Sequence, residues 1–395
     1  MEEVRIEKNP NEIRIYLSGR IDSNNADEIK NAILPEIGSD PAVPVVVDAS
    51  ELKYISSAGL RVFLQIRKAH PDMKIINTSV AIYEILEITG FTEMIDVSKK
   101  YRSVSIDNCK VIGRGAAGTI YRLNKEYIVK VYNDPDSLDD IKRERELAKK
   151  ALILGIPTAI SFEIVRVGDR YGAIYELLNA RTVADILRDE PDKIDWCVEE
   201  YVNLLKLIHS TEVPPGKLPV MKDRVTDWGL FMKNHLPAGT GDKLISLIEA
   251  VPDNNHMIHG DYHTKNIMVT GEEVLLIDMD TIATGDPVFE FASVFNAFIG
   301  FSEPGISNSV KDFQGFPPEI AWEFWHKVLA KYAETDDSAV LKAMEDKARI
   351  IGYTRLIRRA IRRDGLESES GRAEIDFWKE RLIKLIDSTD SLSFC

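Results

Sequence analysis

Hydrophobic residues in the first hundred positions follow two different periods in turn. Residues 13–17 alternate apolar and polar side chains, which predicts a strand with one buried face. Apolar positions at helical spacing follow over 24–34, and the apolar run at 44–48 predicts a strand buried on both faces. A second amphipathic helix is predicted directly after Ser56-Ser57, with Leu60, Phe63 and Ile66 on one stripe. This alternation of strands and helices predicts a small α/β domain.

The pattern changes near residue 111. A strand pair around a glycine turn is followed by one helix and by a second strand pair that ends near Leu178. From about residue 195 onward helical periodicity dominates, apart from a compact insert at 256–280. Strands followed by helices in this way are typical of an α+β domain.

These changes of pattern predict the domain boundaries. The α/β domain is expected over 1–100, and the α+β domain over 111–395. Within the second domain we expect a strand-rich N-lobe at 111–178 and a helical C-lobe at 179–395. The stretch 101–110 is polar and aperiodic, and we interpret it as a short linker.

The composition excludes several classes of protein. With 44% hydrophobic and 29% charged residues, the chain has the balance of a folded globular protein. The net charge of −14 argues against a nucleic-acid partner, because phosphate backbones are bound through clustered Lys and Arg. No segment approaches the about 20 apolar residues of a membrane span, and the acidic N-terminus does not resemble a signal peptide. We therefore expect a cytoplasmic protein with no membrane partner.

Gly113, Gly115 and Gly118 form a G-x-G-x-x-G pattern between two predicted strands. A glycine turn between strands is typical of a kinase lid, whereas a dinucleotide-binding fold places it before a helix. The backbone N–H groups of such a loop can approach the oxygens of a triphosphate. A plain hairpin turn is the alternative interpretation of this segment.

Lys130 interrupts the apolar strand IVKVY. A buried ammonium is costly unless it meets an anion, and in kinases that anion is a pair of nucleotide phosphates. A glutamate of the following helix holds the lysine in place, and the chain offers Glu144 and Glu146 there. Apolar residues follow Glu144 one turn later, whereas lysines follow Glu146, so we favour Glu144. In the alternative interpretation both glutamates are solvated surface charges.

The most specific motifs are MIHGDYHTKNIMV at 257–269 and VLLIDMDTIATGDP at 274–287. Asp261 precedes Asn266 by five residues, and Asp278 follows twelve residues later at the end of an apolar strand. Phosphoryl transfer needs a carboxylate that orients the acceptor and oxygen ligands for Mg²⁺, and these three residues supply them. The motifs H-G-D-x-x-x-x-N and I-D-x-D-x-x-x-x-G-D-P resemble the aminoglycoside phosphotransferase/choline kinase family, which is related to protein kinases.

This resemblance covers about residues 108–365. It implies a two-lobed, protein-kinase-like fold and an ATP- and Mg²⁺-dependent phosphotransferase with a hydroxyl acceptor, either a small molecule or a protein serine. Carried over to this chain, it implies that Asp261 is the catalytic base and that Asn266 and Asp278 are the Mg²⁺ ligands.

The resemblance also implies the nucleotide contacts. Lys130 and Glu144 correspond to the pair that holds the α- and β-phosphates beneath the glycine loop. The segment YELLNA at 175–180 looks like the hinge between the lobes. There, Glu176 and Leu178 would present backbone groups to the adenine.

Two other clusters have rival interpretations. His256, His259 and His263 are close in sequence but lack the H-E-x-x-H pattern of a zinc site, and the Asp/Asn set explains the segment better. Five arginines are spaced to share one helical face and could bind a phosphorylated or acidic partner. We favour a solvated face paired with the protein's own carboxylates. These arginines are Arg355, Arg358, Arg359, Arg362 and Arg363.

In the first domain, DASELKYISSAGLRVFLQI at 48–66 places S-S-A-G-L at the start of a helix. It resembles the STAS domain of anti-sigma factor antagonists, and the match covers about residues 3–97. In that family a partner kinase phosphorylates the serine at the helix start and so controls binding to the anti-sigma factor. The alignment implies Ser57 as the acceptor, with Ser56 as the alternative. A serine in this position could also serve only as a helix cap.

The predicted protein is thus an STAS-like α/β module fused to a two-lobed kinase-like phosphotransferase. Its expected partners are a nucleotide, an unidentified hydroxyl acceptor and a protein bound by the STAS-like module. The alternative is a non-catalytic regulator that senses nucleotide, or an anti-sigma factor antagonist that acts by protein binding. The complete set of Lys130, Asp261, Asn266 and Asp278 favours the enzyme.

Overall fold

The computed structural model describes residues 3–9, 12–38, 43–115, 117–271, 273–306 and 310–394. The chain divides into two compact units. The first comprises Met1–Ser105 with Ile164–Asp169, and the second comprises Ile106–Glu163 with Arg170–Cys395. The boundary between Ser105 and Ile106 therefore lies inside the stretch 101–110 that the sequence predicts to be a linker.

Strands dominate the N-terminal part of each unit, and helices dominate the C-terminal half of the chain. In chain order the strands and helices are β1 Val4–Asn9, β2 Glu12–Ile21, α1 Ala26–Ile37, β3 Val45–Ile55, α2 Ser57–Ala69, β4 Lys74–Thr78, α3 Val80–Ile88, β5 Asp96–Lys99, β6 Arg102–Ser103, β7 Lys110–Arg114, β8 Gly118–Arg122, β9 Tyr127–Tyr132, α4 Leu138–Ile153, β10 Glu163–Val167, β11 Arg170–Glu176, β12 Arg181–Thr182, α5 Val183–Asp189, α6 Ile194–Ser210, α7 Met221–Lys233, α8 Thr240–Glu249, β13 Met257–Ile258, β14 Ile267–Thr270, β15 Glu273–Leu276, β16 Ala283–Thr284, α9 Pro287–Phe295, α10 Pro318–Ala333, α11 Ser338–Ile361 and α12 Glu369–Ser388.

The first unit is built on a five-stranded sheet in the order β1-β2-β3-β4-β5. Strands β1 and β2 are antiparallel, and the remaining pairs are parallel. Ile15, Val47 and Ile75 lie side by side on β2, β3 and β4, and all three are fully buried. Helices joining parallel strands bury both faces of a sheet, which explains the continuous apolar run in β3.

The predicted linker also contains a short strand. Arg102 and Ser103 of β6 pair in parallel with Val165 and Arg166. Both β6 residues are exposed. The strand therefore left no apolar signal in the sequence.

The strand-rich part of the second unit consists of antiparallel pairs. β7 pairs with β8, β8 with β9, and β9 with β11. Lys130 lies on the central strand β9, opposite Ile120 of β8 and Ala173 of β11. Helix α4 buries Ile141, Glu144, Leu147, Ala148 and Ala151 along one stripe.

The helical part of the second unit surrounds an aromatic core. Phe291, Phe295, Phe324 and Trp325 are all fully buried there. The short sheets β12-β14-β15 and β13-β16 carry the predicted insert at 256–280. Within the described residues, no helix combines the length and the apolar character needed to cross a membrane.

Candidate active site

A three-membered ion cluster lies in the second unit. Lys130 Nζ on β9 is 3.1 Å from Glu144 Oε1 on α4 and 3.3 Å from Asp278 Oδ1. Burial alone would lower the pKa of Lys130, but the charges of Asp278 and Glu144 outweigh burial and raise it. The structure therefore brings three predicted site residues together around one fixed positive charge.

Glu144 is buried, and both of its carboxylate oxygens accept hydrogen bonds. The hydroxyl of Tyr132 donates to its Oε2 at 2.7 Å, and the hydroxyl of Tyr175 donates to its Oε1 at 3.3 Å. The rejected candidate Glu146 is exposed and pairs with Lys149, three residues later on the same helix. The apolar residues that follow Glu144 account for this difference, because they turn its side of α4 toward the interior.

The glycine loop joins β7 to β8, with residue 116 outside the described ranges. Gly115 N donates to Gly118 O at 2.9 Å. A Cβ on Gly118 would lie 2.4 Å from Val131 O, so the close approach of β8 to β9 requires glycine there. A Cβ on Gly113 would lie 3.3 Å from Ile120 Cδ1, whereas a Cβ on Gly115 would meet nothing closer than 3.9 Å. Among the described residues, packing therefore gives no steric reason for glycine at position 115.

The predicted hinge follows the end of β11. Glu176 is exposed and ends the strand, and Leu177 N donates to Glu126 O at 2.7 Å. Within the described residues, the backbone N–H of Leu178 makes no hydrogen bond. A free N–H next to a strand end is a group that can bind a base edge.

Asp261 lies in polar surroundings between its own loop and helices α9 and α11. Its Oδ1 is 3.4 Å from both Arg355 NH2 and Ser293 Oγ, and its Oδ2 is 3.6 Å from His263 Nε2. Arg355 NH1 also donates to Gly260 O at 3.2 Å and to Ser293 Oγ at 3.1 Å. Arg355 thus links α11 to α9 and to the loop that carries Asp261.

Burial would raise the pKa of Asp261, but its neighbours reverse the direction. The nearby imidazole of His263, followed by the charge of Arg355, holds that pKa well below its usual range. The carboxyl group is therefore ionised near neutral pH, and an ionised carboxylate accepts a hydrogen bond from a hydroxyl.

Asn266 and Asp278 are neighbours through the backbone. Ile277 N donates to Asn266 O at 2.9 Å, so Asp278 directly follows the residue that is bonded to Asn266. Asn266 Nδ2 donates to Asp261 O at 3.0 Å, which turns Oδ1 away, and Oδ1 accepts no hydrogen bond from a described residue. One free amide oxygen and one half-exposed carboxylate fit Mg²⁺, which keeps several waters or phosphates beside few protein ligands.

Two further features mark the segment around Asp278. Asp278 itself has φ 64° and ψ 64°, the left-handed region that a non-glycine residue seldom occupies. Burial, together with the charges of Asp278 and Glu144, raises the pKa of Asp280 to about 7. Backbone strain and a perturbed carboxyl are both frequent at functional sites.

Glu290 on α9 holds the loop that precedes Asp261. It is fully buried and accepts hydrogen bonds from His259 N and, at 2.9 Å, from Gly260 N. Gly260 has φ +81°, and a Cβ there would lie 2.8 Å from Thr281 O, so this turn requires glycine. Within the described residues, no group of three or more His, Cys, Asp and Glu side chains is arranged to hold a metal ion.

In the first unit, Ser56 and Ser57 have different environments. Ser56 is the N-cap of α2, and its Oγ accepts a hydrogen bond from Ala58 N at 3.2 Å. Ser57 is the first residue of the helix and is exposed. A Cβ on Gly59 would lie 2.7 Å from Ile55 Cγ1, which explains the glycine of the S-S-A-G-L motif.

Comparison with known families agrees with this geometry. Residues 108–325 match the phosphotransferase enzyme family, which is more than half of the chain. The chain belongs to this family. Residues 3–105 match the STAS domain, so the chain carries an STAS domain ahead of its phosphotransferase domain. Both matches confirm the predicted fold class.

Individual relatives resemble one domain each. The STAS domain is 28% identical over 103 residues to an anti-sigma-B factor antagonist of Bacillus subtilis, which covers 25% of this chain and 91% of the relative. A structure of the aminoglycoside phosphotransferase APH(4)-Ia is 11% identical, with TM-score 0.49 and coverage of 71% and 94%. A choline/ethanolamine kinase family protein from Mesorhizobium loti is 14% identical, with TM-score 0.45 and coverage of 71% and 88%.

Sequence reasoning missed two residues of the phosphotransferase domain. The sequence pattern assigns no role to Glu290, and it places Arg355 on a solvated helical face. Helix α11 ends at Ile361, so Arg362 and Arg363 follow the helix and the predicted five-residue face is shorter than expected. Regular arginine spacing on a helix with buried neighbours was the signal available in the sequence.

Proposed function

We propose that the phosphotransferase domain transfers the γ-phosphoryl group of ATP to a hydroxyl acceptor. The observation that carries this proposal is the joining of Glu144, Lys130 and Asp278 in one ion cluster. A partly buried lysine held between two carboxylates of separate elements is the arrangement that a nucleotide-phosphate clamp needs.

Each predicted residue has a role in this proposal. Asp261 accepts the hydrogen bond of the acceptor hydroxyl and orients it toward the γ-phosphorus. The new oxygen–phosphorus bond forms as the bond to the β-phosphate oxygen breaks. ADP leaves, and the acceptor proton passes to Asp261 or to water. Mg²⁺ held by Asn266 Oδ1 and the Asp278 carboxylate would neutralise phosphate charge.

The remaining residues bind the nucleotide. Lys130 holds the α- and β-phosphates, and the backbone of the glycine loop, at Gly113, Gly115 and Gly118, covers them. The backbone of Glu176 and Leu178 pairs with the adenine. The open space around Gly115 supports this assignment, because glycine there leaves room for phosphate oxygens.

The test is Asp261→Asn in the full-length protein. We expect nucleotide binding to persist and phosphoryl transfer, including slow transfer to water, to fall about 10²- to 10⁴-fold, because an oriented carboxylate is lost. Release of ADP from Mg-ATP measures transfer, and a nucleotide-dependent rise in Tm measures binding. Asp376→Asn, an exposed carboxylate on α12, is the matched control. Full activity of Asp261→Asn would remove this residue from the mechanism.

A second function is proposed for the STAS domain: binding of a protein partner under control of Ser57 phosphorylation. Exposure of Ser57 at the start of α2 supports it, since helix N-terminal N–H groups and the helix dipole favour a phosphate there. Ser56 is the weaker candidate, because its hydroxyl oxygen already caps the helix. Phosphosite mapping by mass spectrometry of protein isolated from its producing cells tests this, and modification confined to other residues would contradict it.

A further inference from the structure

A group of arginines lies beside the proposed catalytic carboxylate. Arg355 contacts Asp261 Oδ1, and its guanidinium carbon is 5.7 Å from the ring centre of Trp228 on α7. Arg224 belongs to the same helix α7, one turn before Trp228. Helices α7 and α11 therefore present positive charge at the edge of the site where an acceptor hydroxyl must lie.

The guanidinium group of Arg224 has no carboxylate partner among the described residues. It is partly buried, and it makes no ion pair or hydrogen bond with any residue in the described ranges. Burial and the neighbouring charge of Arg355 lower its pKa, with Arg143 acting in the same direction and Asp280 opposing them. A desolvated guanidinium surrounded mainly by other cations is unfavourable unless an anion joins it.

The positive charge continues along α11. Arg358 Nε is buried without a hydrogen-bond partner among the described residues, and its guanidinium carbon is 5.7 Å from the ring centre of Phe231. Arg359 lies similarly over Phe301, at 5.0 Å. Burial lowers the pKa of both arginines. The charge of Asp227 opposes this larger effect at Arg358 and that of Glu374 opposes it at Arg359, and neither acid forms an ion pair with these arginines.

The positive charge of this arginine group contrasts with the net negative charge of the chain. The sequence has 64 acidic and 50 basic residues, so carboxylates to pair with these arginines are abundant elsewhere. Among the described residues, only Arg355 of this group has a carboxylate partner, and that partner is the proposed catalytic Asp261. A cationic acceptor would meet repulsion here, and a neutral one would leave the guanidinium groups unpaired.

We propose that the acceptor is a small hydroxyl compound bearing a phosphate or carboxylate group, which Arg224 and Arg355 bind while Asp261 orients the hydroxyl. This inference rests on the proposed phosphotransferase function and specifies its substrate class. Guanidinium groups match the planar oxygen pairs of both anions, and they are less strongly hydrated than an ammonium. The other arginines of α11 extend the positive potential that draws the anion toward the pocket.

The experiment uses full-length protein saturated with Mg-ADP, so that the nucleotide site is filled. Four matched probes are added: glycerol, choline, glycerol 3-phosphate and glycerate, which are neutral, cationic, phosphorylated and carboxylated. The concentration dependence of Tm reports binding, and ADP release from Mg-ATP reports transfer. We expect only the two anions to bind, and their relative midpoints distinguish phosphate from carboxylate recognition.

The decisive variant is Arg224→Gln. Loss of one charged hydrogen-bonding group should raise the midpoint for the anions about 10- to 100-fold. Arg224→Lys should recover part of that loss, because it restores charge without the planar fork. Arg372→Gln removes an exposed arginine of α12 and should match the unaltered protein. ADP release without any probe should be unchanged in Arg372→Gln.

The outcomes separate the two proposals. Equal midpoints for Arg224→Gln and the unaltered protein, a preference for choline or glycerol, or no binding of either anion would overturn the anionic-acceptor inference. Failure to bind Mg-ADP and to hydrolyse Mg-ATP without a probe would instead overturn the phosphotransferase proposal. A salt-sensitive midpoint for the anions would support the inference, because screening weakens exposed charge pairs.

Discussion

At the scale of single residues, Asp278 combines an unusual backbone with a proposed metal-binding side chain. Its left-handed backbone costs about 1–2 kcal/mol for most L-residues, although Asp and Asn tolerate it better. Its carboxylate meanwhile pairs with Lys130. The strain and the side chain therefore have separable effects on stability and on nucleotide binding.

Comparison of Asp278→Asn with Asp278→Ala should separate them. Both variants are expected to lose Mg²⁺-dependent ATP binding, with much less change in metal-free nucleotide binding. Asp278→Ala should be less stable than Asp278→Asn by about 1 kcal/mol, because alanine lacks the side chain that supports this conformation. Nucleotide titrations with and without Mg²⁺ measure the first effect, and urea unfolding measures the second. Equal loss of both kinds of binding would make Asp278 structural.

Glu290 is expected to fix the position of the loop that carries Asp261, although it lies 30 residues from Gly260 in sequence. Glu290→Gln replaces one acceptor oxygen by an NH₂ group that faces the buried N–H of His259 or Gly260. We expect a loss of about 1–3 kcal/mol in the free energy of unfolding and a large loss of transfer, because the loop that carries Asp261 shifts. Urea unfolding and ADP release test this beside Glu319→Gln on the surface of α10. Unchanged transfer in Glu290→Gln would show that the loop needs no such anchor.

At the scale of elements, local sequence patterns predict which side of a helix is buried. The neighbours of Glu144 one turn later on α4 were enough to distinguish it from Glu146. By contrast, Arg355 lies 94 residues from Asp261 in sequence, and Glu290 lies 30 from Gly260, and nothing in the local pattern reports such contacts. Strand β6 was missed because both of its residues have exposed side chains, which leave no apolar pattern in the sequence.

Helix α2 provides a test at the same scale. Ser56→Ala removes the oxygen that caps the helix and should cost about 1 kcal/mol of stability of the STAS domain. Ser57→Ala changes an exposed helical position and should stay within about 0.5 kcal/mol of the unaltered protein. Chemical unfolding followed by circular dichroism compares them. A larger loss for Ser57→Ala would assign the cap to the other serine.

At the scale of the whole molecule, every residue proposed to bind nucleotide or metal lies in the phosphotransferase domain, between Gly113 and Asp278. A fragment that starts at Tyr101 keeps all of them and also keeps β6 with its partners Val165 and Arg166. We expect this fragment to show the Mg-ADP-dependent rise in Tm of the full chain. The same fragment with Lys130→Met is the control and should show none. Loss of the response in the unaltered fragment would assign part of nucleotide binding to the STAS domain.

The ion pair between Lys130 and Asp278 has a thermodynamic consequence. While the two side chains neutralise each other, the lysine is not free for a phosphate and the carboxylate is not free for a cation. Whichever ligand arrives first must break this pair, and the second then finds its partner already released. Nucleotide and divalent cation should therefore bind with positive cooperativity, each raising the affinity of the other by the same factor. The ion pair of the ligand-free site is therefore fully replaced only when nucleotide and cation are both bound.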